Sequence, residues 1–391
     1  MSSRTWTLTD LCGNPDDDVF TEQIVIDAAE VGLPNCRVAK RTLRGGLRDG
    51  VELLTIDNGR LRVALVPQRG MGVWKAWHGD WQIGWNSPVR GPVHPKFVPL
   101  AEPRGLGWLD GFDELLCRCG LFSNGAPDFD ARGALLYPLH GRIANQPAHR
   151  LIVEADSDAG EIRVTGVVDE CRFHFQKLRL SSTLRMRIGE ARFEVIDDVT
   201  NLSGGPGEMQ LLYHVNFGPP LLSPGSRIAA PVKRMMPRDP RSALGVSHWS
   251  HYGQPQVAAV EEVFFCQLLA DPNGRAETLL ATAAGERGIS LHFHTRELPC
   301  FSLWKNSPPE SDGYVTGLEP ATNFPNSRSF ESSQGRVRRL AAGETARFEL
   351  ALEVHDSTAA VAQAEQRINK LQAAAPPEIC EAPLPGWTPT E

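Results

Sequence analysis

The chain has 391 residues, of which 41% are hydrophobic, and its formal net charge is −7. This length allows either two or three domains of average size or one large all-β architecture. The negative net charge gives no electrostatic reason to expect nucleic acid or an anionic membrane surface as a partner.

Along the chain, apolar residues repeatedly alternate with polar ones at period two, which is the pattern of strands with one face on a core. Turn residues separate these runs, with 36 glycines and 30 prolines in the sequence. The sequence therefore predicts an all-β protein made of antiparallel sheets. The segments that carry the alternation are 61–66, 172–176, 184–188, 193–195 and 347–354.

Near the C-terminus, one helix is strongly indicated. Ser357 is an N-cap candidate, and an apolar stripe at helical spacing runs from Val361 to Leu371. Pro376 stops the helix, which we expect to cover a sheet. The predicted organisation is an N-terminal segment of undefined structure (1–43), a single β domain (44–375) and a Pro-rich tail (376–391).

Three short segments place ionisable side chains in apolar, strand-like surroundings, where such a group is costly without a partner or a purpose. Pro320 restrains Glu319 to an extended backbone, which gives its carboxylate a defined direction. On a strand, His214 and Asn216 share one face, as expected for a cleft lining. Each segment also has a plainer interpretation, as a surface glutamate, a satisfied core histidine or a turn. The segments are Leu139-His140-Gly141-Arg142, Tyr213-His214-Val215-Asn216-Phe217 and Gly317-Leu318-Glu319-Pro320-Ala321.

A carboxylate and an imidazole are the groups that interconversion of sugar anomers needs. A base removes the proton of the C1 hydroxyl and an acid protonates the ring oxygen. The ring then opens, rotates about C1–C2 and recloses, and each group contributes on the order of 10²- to 10⁴-fold. We expect Glu319 to be the base and His214 the acid. This chemistry needs no cofactor.

Further residues are candidates for binding a small-molecule carbohydrate. His140, Arg142 and Asn216 offer hydrogen bonds to hydroxyl groups. Trp304 offers a flat aromatic face to the C–H face of a sugar, and Lys305 could place a cation in the same cleft. A solvated lysine and a core tryptophan are the plainer interpretations of the last two.

In this order along the chain, the three segments resemble the aldose 1-epimerase (galactose mutarotase-like) superfamily. The likeness is nearest to its DUF4432 branch and runs from about residue 57 to residue 354. The resemblance implies a β-supersandwich of two large antiparallel sheets, with the cleft on a concave face. It also implies that His140 binds substrate, that His214 is the general acid and that Glu319 is the base. The segments similar to the branch's signature are 107–116, 119–121, 124–127 and 138–142.

Two departures from the mutarotase pattern concern substrate binding. The arginine that precedes the Leu-His-Gly segment in that family has no direct match, which leaves Arg118 or Arg142 as candidates. The family's substrate-binding aspartate is replaced by Glu261 or Glu262, ahead of Phe264. The identity of the sugar is therefore open.

Two other functions are compatible with the same residues. A carbohydrate-binding protein without turnover would keep the cleft and its tryptophans. A glycoside hydrolase or lyase would pair Glu319 with Asp113 or Glu114 as two catalytic carboxyl groups.

Neither a metal site nor an export signal is indicated. The pairs His248/His251 and His292/His294 each lack a third ligand nearby. The 8 cysteines are scattered through a long chain, unlike those of a small disulfide-linked secreted domain. No secretory signal and no run of roughly 18 apolar residues is evident. We therefore expect a cytoplasmic protein with reduced thiols.

Overall fold

The structure, a computed structural model, describes residues 3–11 and 13–389. Its strands in the first half of the chain are β1 Ser3–Asp10, β2 Val19–Phe20, β3 Gln23–Ile26, β4 Arg37–Thr42, β5 Glu52–Asp57, β6 Leu61–Val66, β7 Gly72–His78, β8 Trp81–Ile83, β9 Leu116–Leu121, β10 Asp128–Phe129, β11 Leu135–Tyr137, β12 Arg150–Asp156 and β13 Glu161–Cys171. Those in the second half are β14 Lys177–Arg187, β15 Arg192–Asn201, β16 Gly207–Phe217, β17 Arg227–Ala229, β18 Val232–Pro237, β19 Glu262–Leu268, β20 Arg275–Ala281, β21 Gly288–His294, β22 Cys300–Asn306, β23 Val315–Ala321, β24 Arg338–Leu340, β25 Thr345–His355 and β26 Glu378–Ile379. The α-helices are α1 Ala28–Val31, α2 Pro240–Ala243, α3 Arg328–Ser333 and α4 Thr358–Gln372.

Two large sheets contain almost all of these strands. The smaller sheet has 10 strands in the order β17-β20-β21-β25-β15-β14-β13-β12-β1-β2. The larger has 14 strands, with the main path β26-β18-β19-β22-β23-β16-β9-β7-β6-β5-β4-β3. Pairing within both sheets is antiparallel except between β18 and β26. The prediction of an all-β protein with two large antiparallel sheets is confirmed.

The main apolar core lies between the two sheets, because alternate residues of each strand point inward. Val164 and Leu350 come from the smaller sheet, and Leu211 and Leu303 come from the larger one. The opposite face of the larger sheet has its own apolar cluster, which includes Leu212. Residues 84–115, which connect β8 to β9, cover that outer face and contribute aromatic side chains to it.

The C-terminal helix was predicted in the correct place. Ser357 caps α4, and its side chain accepts a hydrogen bond from the backbone of Ala360. Val361, Ala364 and Ile368 are buried against the smaller sheet, so α4 covers this sheet as expected.

The predicted strand over 172–176 is wrong. β13 ends at Cys171 and β14 begins at Lys177, so these residues form the connection between two strands. The Phe173 side chain is 80% exposed, and that of Phe175 is 55% exposed. Five alternating residues are too few to separate a strand from the turn that joins two longer ones.

Candidate active site

Three neighbouring strands of the larger sheet bring the predicted catalytic residues together. β16 carries His214, β23 carries Glu319 and β22 carries Trp304. The register between β16 and β23 pairs Val215 with Leu318. In an antiparallel ladder this register also sets His214 opposite Glu319, on the face turned away from the smaller sheet.

Glu319 and His214 touch at the floor of a cavity of about 460 Å³. The Glu319 Oε1 atom lies 3.2 Å from the His214 Nε2 atom. Glu319 is 3% exposed and His214 is 4% exposed. The Oε1 atom has no geometrically aligned hydrogen bond to any described residue. The two side chains are therefore in close contact without an aligned hydrogen bond between them, and both line the cavity.

The surroundings of this pair favour the neutral form of each partner. Burial raises the pKa of Glu319 to about 8; the charge of Glu261 adds to this effect and that of Arg238 opposes it. Burial lowers the pKa of His214 to about 3, with a further contribution from His140 and an opposing one from a hydrogen bond with Asn216. Groups with strongly displaced pKa values in a cavity are typical of functional sites.

Asn216 orients the His214 ring from behind. Its Nδ2 atom donates hydrogen bonds to the backbone oxygen of Glu114 at 3.0 Å and to that of His214 at 3.1 Å. Its Oδ1 atom lies 2.5 Å from the Nδ1 atom of His214. Asn216 is fully buried, so it contacts the imidazole and does not line the cavity.

His140 reaches the same cavity from the loop after β11. Its Nδ1 atom lies 2.9 Å from the backbone oxygen of Asn124, so Nδ1 carries the hydrogen and Nε2 is left as an acceptor. The His140 ring lies 5.3 Å from that of His214, measured between centroids. Burial lowers its pKa to about 4. A Cβ atom on the next residue, Gly141, would lie 2.0 Å from the backbone oxygen of Ser123, so this turn requires glycine.

Aromatic side chains form the walls of the cavity. Trp304 lies 5.3 Å from the His214 ring, and Phe112 lies 5.1 Å from it, between centroids. Trp108 packs 4.5 Å from His140. Trp85 also lines the cavity. Trp108 and Phe112 come from the connection that covers the outer face of the sheet, which explains why aromatic residues so distant in sequence converge here.

A charged cluster at the cavity was only partly anticipated from the sequence. Glu261 accepts a hydrogen bond from Trp304 Nε1 at 2.7 Å and another from Arg238 at 2.9 Å. Asp239 holds Arg238 from the other side at 2.9 Å. Asp312 also lines the cavity. In the sequence, Arg238 is a cation that would favour an acidic or phosphorylated substrate, but it lies among prolines, where an exposed loop is the default interpretation.

Lys305 and Glu262 lie in a different cavity, of about 360 Å³. Lys305 Nζ donates to the backbone oxygens of His248 and His251 at 3.2 and 2.8 Å, and it lies 3.9 Å from Glu262. Lys305 follows Trp304 on β22, so its side chain points to the opposite face of the sheet. The structure therefore does not bring these two residues to the Glu319–His214 pair.

The two arginine candidates also lie elsewhere. Arg142 is half-buried at the start of a short 3-10 helix and does not line the cavity. Burial raises the pKa of Glu170 to about 7, and the charge of Arg142 partly opposes this effect. Arg118 is buried between the sheets, where it forms hydrogen bonds to Asp197 of β15 at 2.5 and 3.0 Å and to Ser182 of β14 at 2.7 Å. Arg118 thus links the two sheets.

Asp113 and Glu114, the partners of the hydrolase alternative, do not line the cavity. Lys75 Nζ lies 3.2 Å from Asp113 Oδ1, and Trp74 donates to the other oxygen at 2.6 Å. Glu114 is ion-paired with Arg69 in a fully buried position. Both carboxyl groups already have structural partners.

Among the described residues, one group has the composition and spacing of metal ligands, namely Glu277, Glu353 and His355. It lies in the smaller sheet, beneath α4. Arg367 donates two hydrogen bonds of 2.7 Å to Glu277. The carboxylate of Glu277 is therefore already paired with a cationic side chain of the protein. His292, from the predicted histidine pairs, contacts Glu353 at 2.9 Å.

Comparison with known proteins identifies the family to which the chain belongs. The profile described as "Domain of unknown function (DUF4432)" matches residues 48–354. A crystal structure from Klebsiella pneumoniae, of a protein provisionally assigned as an aldose 1-epimerase, is 34% identical with a TM-score of 0.93. This similarity covers 98% of this chain and 99% of that chain.

More distant structures share the fold. A galactose mutarotase-like protein from Clostridium acetobutylicum is 16% identical with a TM-score of 0.54, over 78% of this chain and 96% of that chain. A galactose mutarotase related enzyme from Lactobacillus acidophilus is 13% identical with a TM-score of 0.51, over 78% and 98%. The chain therefore has the galactose mutarotase-like fold.

A short match to curated proteins has a different character. The chain is 40% identical over 52 residues to the crossover junction endodeoxyribonuclease RuvC of Mycobacterium ulcerans and of Mycobacterium marinum. The match spans 28% of the length of those nucleases and 13% of this chain, which assigns neither a family nor an activity.

No helix within the described part of the chain has the length and apolarity needed to cross a membrane.

Proposed function

The chain belongs to the DUF4432 family, and on that premise we propose that it is a sugar mutarotase, an isomerase that interconverts the anomers at C1 of an aldose or sugar derivative. One observation carries the proposal. The Glu319 and His214 side chains touch at 3.2 Å, buried at the floor of an aromatic-walled cavity.

This pair suits a reaction without net proton uptake. Anomer interconversion removes one proton from the C1 hydroxyl and delivers one to the ring oxygen, and then reverses both transfers. A carboxyl group and an imidazole that share a single proton can supply both transfers from adjacent atoms. Because the pair is buried, bulk water does not compete for that proton.

The walls of the cavity suit a carbohydrate. Trp304 and Trp108 present large aromatic surfaces next to the pair, and such rings stack on the C–H faces of pyranoses. His140 Nε2 would accept a hydrogen bond from a sugar hydroxyl. Glu261 and Asp312 would accept others from the rim. In this proposal Asn216 positions His214, whereas Arg142, Lys305 and Glu262 do not contact the sugar.

The proposal is tested by polarimetry on freshly dissolved single anomers of a panel of neutral, acidic and phosphorylated sugars. We expect the wild type to accelerate mutarotation of at least one sugar. Glu319→Gln should lower that rate by about 10²-fold or more. Glu170→Gln is the matched control, because Glu170 is equally buried, has a raised pKa of about 7 and does not line the cavity. A full panel without acceleration over buffer would reject the proposal.

A binding protein without turnover is the second candidate, and the aromatic walls favour it as much as they favour an enzyme. Calorimetric titration of Glu319→Gln with the same sugars separates the two functions. A sugar that binds the wild type and the variant equally, without acceleration by either, would identify the binding protein.

A further inference from the structure

We infer that Trp108 binds the sugar through its indole N–H group, which donates a hydrogen bond to the hydroxyl group that itself donates to His140. The inference rests on the proposed function for the class of its ligand, a carbohydrate. It concerns binding, so it holds equally for a sugar that is bound without turnover.

Three tryptophans line the cavity, and they differ in what their indole N–H groups contact. Trp85 Nε1 donates to the backbone oxygen of Glu114 at 3.2 Å, and Trp304 Nε1 donates to Glu261 at 2.7 Å. Trp108 is only 1% exposed, yet its Nε1 atom has no hydrogen-bond partner among the described residues. A buried donor without a partner is costly and rare in folded proteins. Its presence on a cavity wall indicates a ligand that accepts a hydrogen bond from it.

The proposed reaction leaves this N–H group unexplained. Of the described residues that line the cavity, Trp108 and Glu319 alone have a buried side-chain nitrogen or oxygen without a partner. The proposed reaction gives Glu319 a role but gives none to the indole nitrogen. Both atoms are nearly closed to water in the free protein, so a sugar reaches them by a small shift of the neighbouring side chains.

The Trp108 ring is held in place by its own element and by its neighbours. It lies on a short 3-10 helix, Gly107–Gly111. A Cβ atom on Gly107 would lie 1.9 Å from the backbone oxygen of Pro99, so this helix packs directly against the preceding turn. The indole packs on Phe112, with the ring centroids 4.7 Å apart. A phenylalanine would keep such apolar contacts, so packing alone does not require the N–H group.

His140 supplies the complementary group. Its ring lies 4.5 Å from that of Trp108, between centroids, with the planes 61° apart. Nδ1 of His140 faces the backbone oxygen of Asn124 at 2.9 Å, which leaves Nε2 as an acceptor. A hydroxyl group both donates and accepts, so one sugar hydroxyl can bond to both rings at once. A hydrogen atom or a methoxy group at the same carbon satisfies at most one of them, so the two rings select for a free hydroxyl group.

Calorimetric titration of the full chain with a sugar that it binds, and with the monodeoxy analogues of that sugar, tests the inference. One deoxy analogue should bind the wild type clearly more weakly than the parent sugar does. That difference should be about fivefold smaller in Trp108→Phe, because the variant lacks one of the two bonds to the hydroxyl group. A merely structural effect of the smaller ring would weaken the binding of all these sugars alike.

Trp85→Phe is the matched control, because Trp85 lines the same cavity but its N–H group is already bonded to Glu114. In this variant the ratio between parent and deoxy affinities should stay as in the wild type. Unchanged ratios in Trp108→Phe at every deoxy position would overturn the inference. If the ratio changes as expected but no sugar is converted, the proposed turnover alone fails. If none of the sugars binds, both fail.

The ¹H–¹⁵N NMR signals of the indole groups give a second readout that does not need turnover. The Trp108 signal, identified by its absence from Trp108→Phe, should move downfield when the sugar saturates the wild type, because a hydrogen bond deshields the proton. The signal of Trp81 is the internal control, since its Nε1 atom also lacks a partner among the described residues but Trp81 does not line the cavity. A Trp108 signal that keeps its position at saturation would overturn the inference.

Discussion

At the residue scale, the cost of keeping Glu319 buried is tied to its protonation state. A carboxyl group at this position is neutral when protonated, and the amide of glutamine then matches it closely in shape. Glu319→Gln should therefore fold normally, so a loss of activity in this variant reports on chemistry.

The same reasoning predicts how stability depends on pH. The pKa of Glu319 is raised to about 8 in the folded protein from an ordinary value of 4.5. Between these pH values the unfolded chain releases a proton that the folded protein retains, so this residue makes the free energy of unfolding fall as pH rises. Relative to the wild type, Glu319→Gln should gain stability from pH 5 to pH 9, on the order of a few kcal/mol.

Urea denaturation of both proteins at pH 5 and pH 9 measures this difference. Glu319→Asp is a useful companion, since it keeps an ionisable carboxyl group. If the stability difference between the wild type and Glu319→Gln is the same at both pH values, Glu319 does not have the raised pKa on which the account depends.

Sequence reasoning found the residues of the site whose chemistry is unusual for their surroundings. His140, His214 and Glu319 were selected in this way, whereas Trp304 was selected for its flat aromatic face, and the structure brings all four to one cavity. Lys305 was selected because it follows Trp304 just upstream of Glu319 in the sequence. A single step along a strand reverses the face, so sequence proximity cannot identify a shared cleft without the register of the sheet.

At the element scale, β23 can hold Glu319 against His214 only because its neighbour on the same face is glycine. A Cβ atom on Gly317 would lie 2.5 Å from Glu319 Oε1, 3.1 Å from His214 Cε1 and 3.2 Å from the Trp304 ring. Gly317→Ala should therefore displace the Glu319 carboxyl group. We expect activity to fall by about 10²-fold, because a displacement of about 1 Å can have that effect.

Gly204→Ala serves as the control, because a Cβ atom there meets nothing within 4 Å. Steady-state kinetics and far-UV circular dichroism of both variants give the comparison. Full activity in a folded Gly317→Ala protein would show that the contact between Glu319 and His214 is not needed.

The strands themselves were predicted best where alternation was long. β25 and β14 each have several buried residues at every second position. The error at 172–176 arose in a segment whose alternation continues the pattern of its neighbouring strands but whose Phe173 and Phe175 side chains face solvent. An alternating segment forms a strand of the sheet when its alternate residues are buried, and burial depends on the whole fold.

At the scale of the whole molecule, a buried polar group joins the two sheets behind the site. Arg118 of β9 reaches across the core to Asp197 of β15, which also accepts a hydrogen bond of 2.9 Å from Tyr213. Removal of one partner from a buried ion pair leaves an unpaired charge. Asp197→Asn should therefore lower the free energy of unfolding by about 3–5 kcal/mol.

Chemical denaturation measures that loss, and Asp198→Asn is its matched control, because Asp198 is the neighbouring aspartate on the exposed face of β15. The folded Asp197→Asn protein should keep the sugar affinity of the wild type. A selective loss of sugar affinity without a change in stability would instead indicate that Arg118 contributes to substrate binding.

The global architecture was accessible from the sequence through family resemblance and through the abundance of alternating strands. The pairing of Arg118 with Asp197 was not, because it depends on which faces of two sheets oppose each other. The same limitation applies to the convergence of Trp108 and Phe112 with residues of β16, β22 and β23.

The most direct test of the account is magnetisation transfer between the two anomeric proton signals of an equilibrated aldose, measured with the wild type, Glu319→Gln and Glu170→Gln. The account predicts that the wild type and Glu170→Gln speed the exchange between anomers of at least one sugar, and that Glu319→Gln leaves it at the rate in buffer. Exchange at the buffer rate with every sugar, or equal exchange with the wild type and Glu319→Gln, would contradict it.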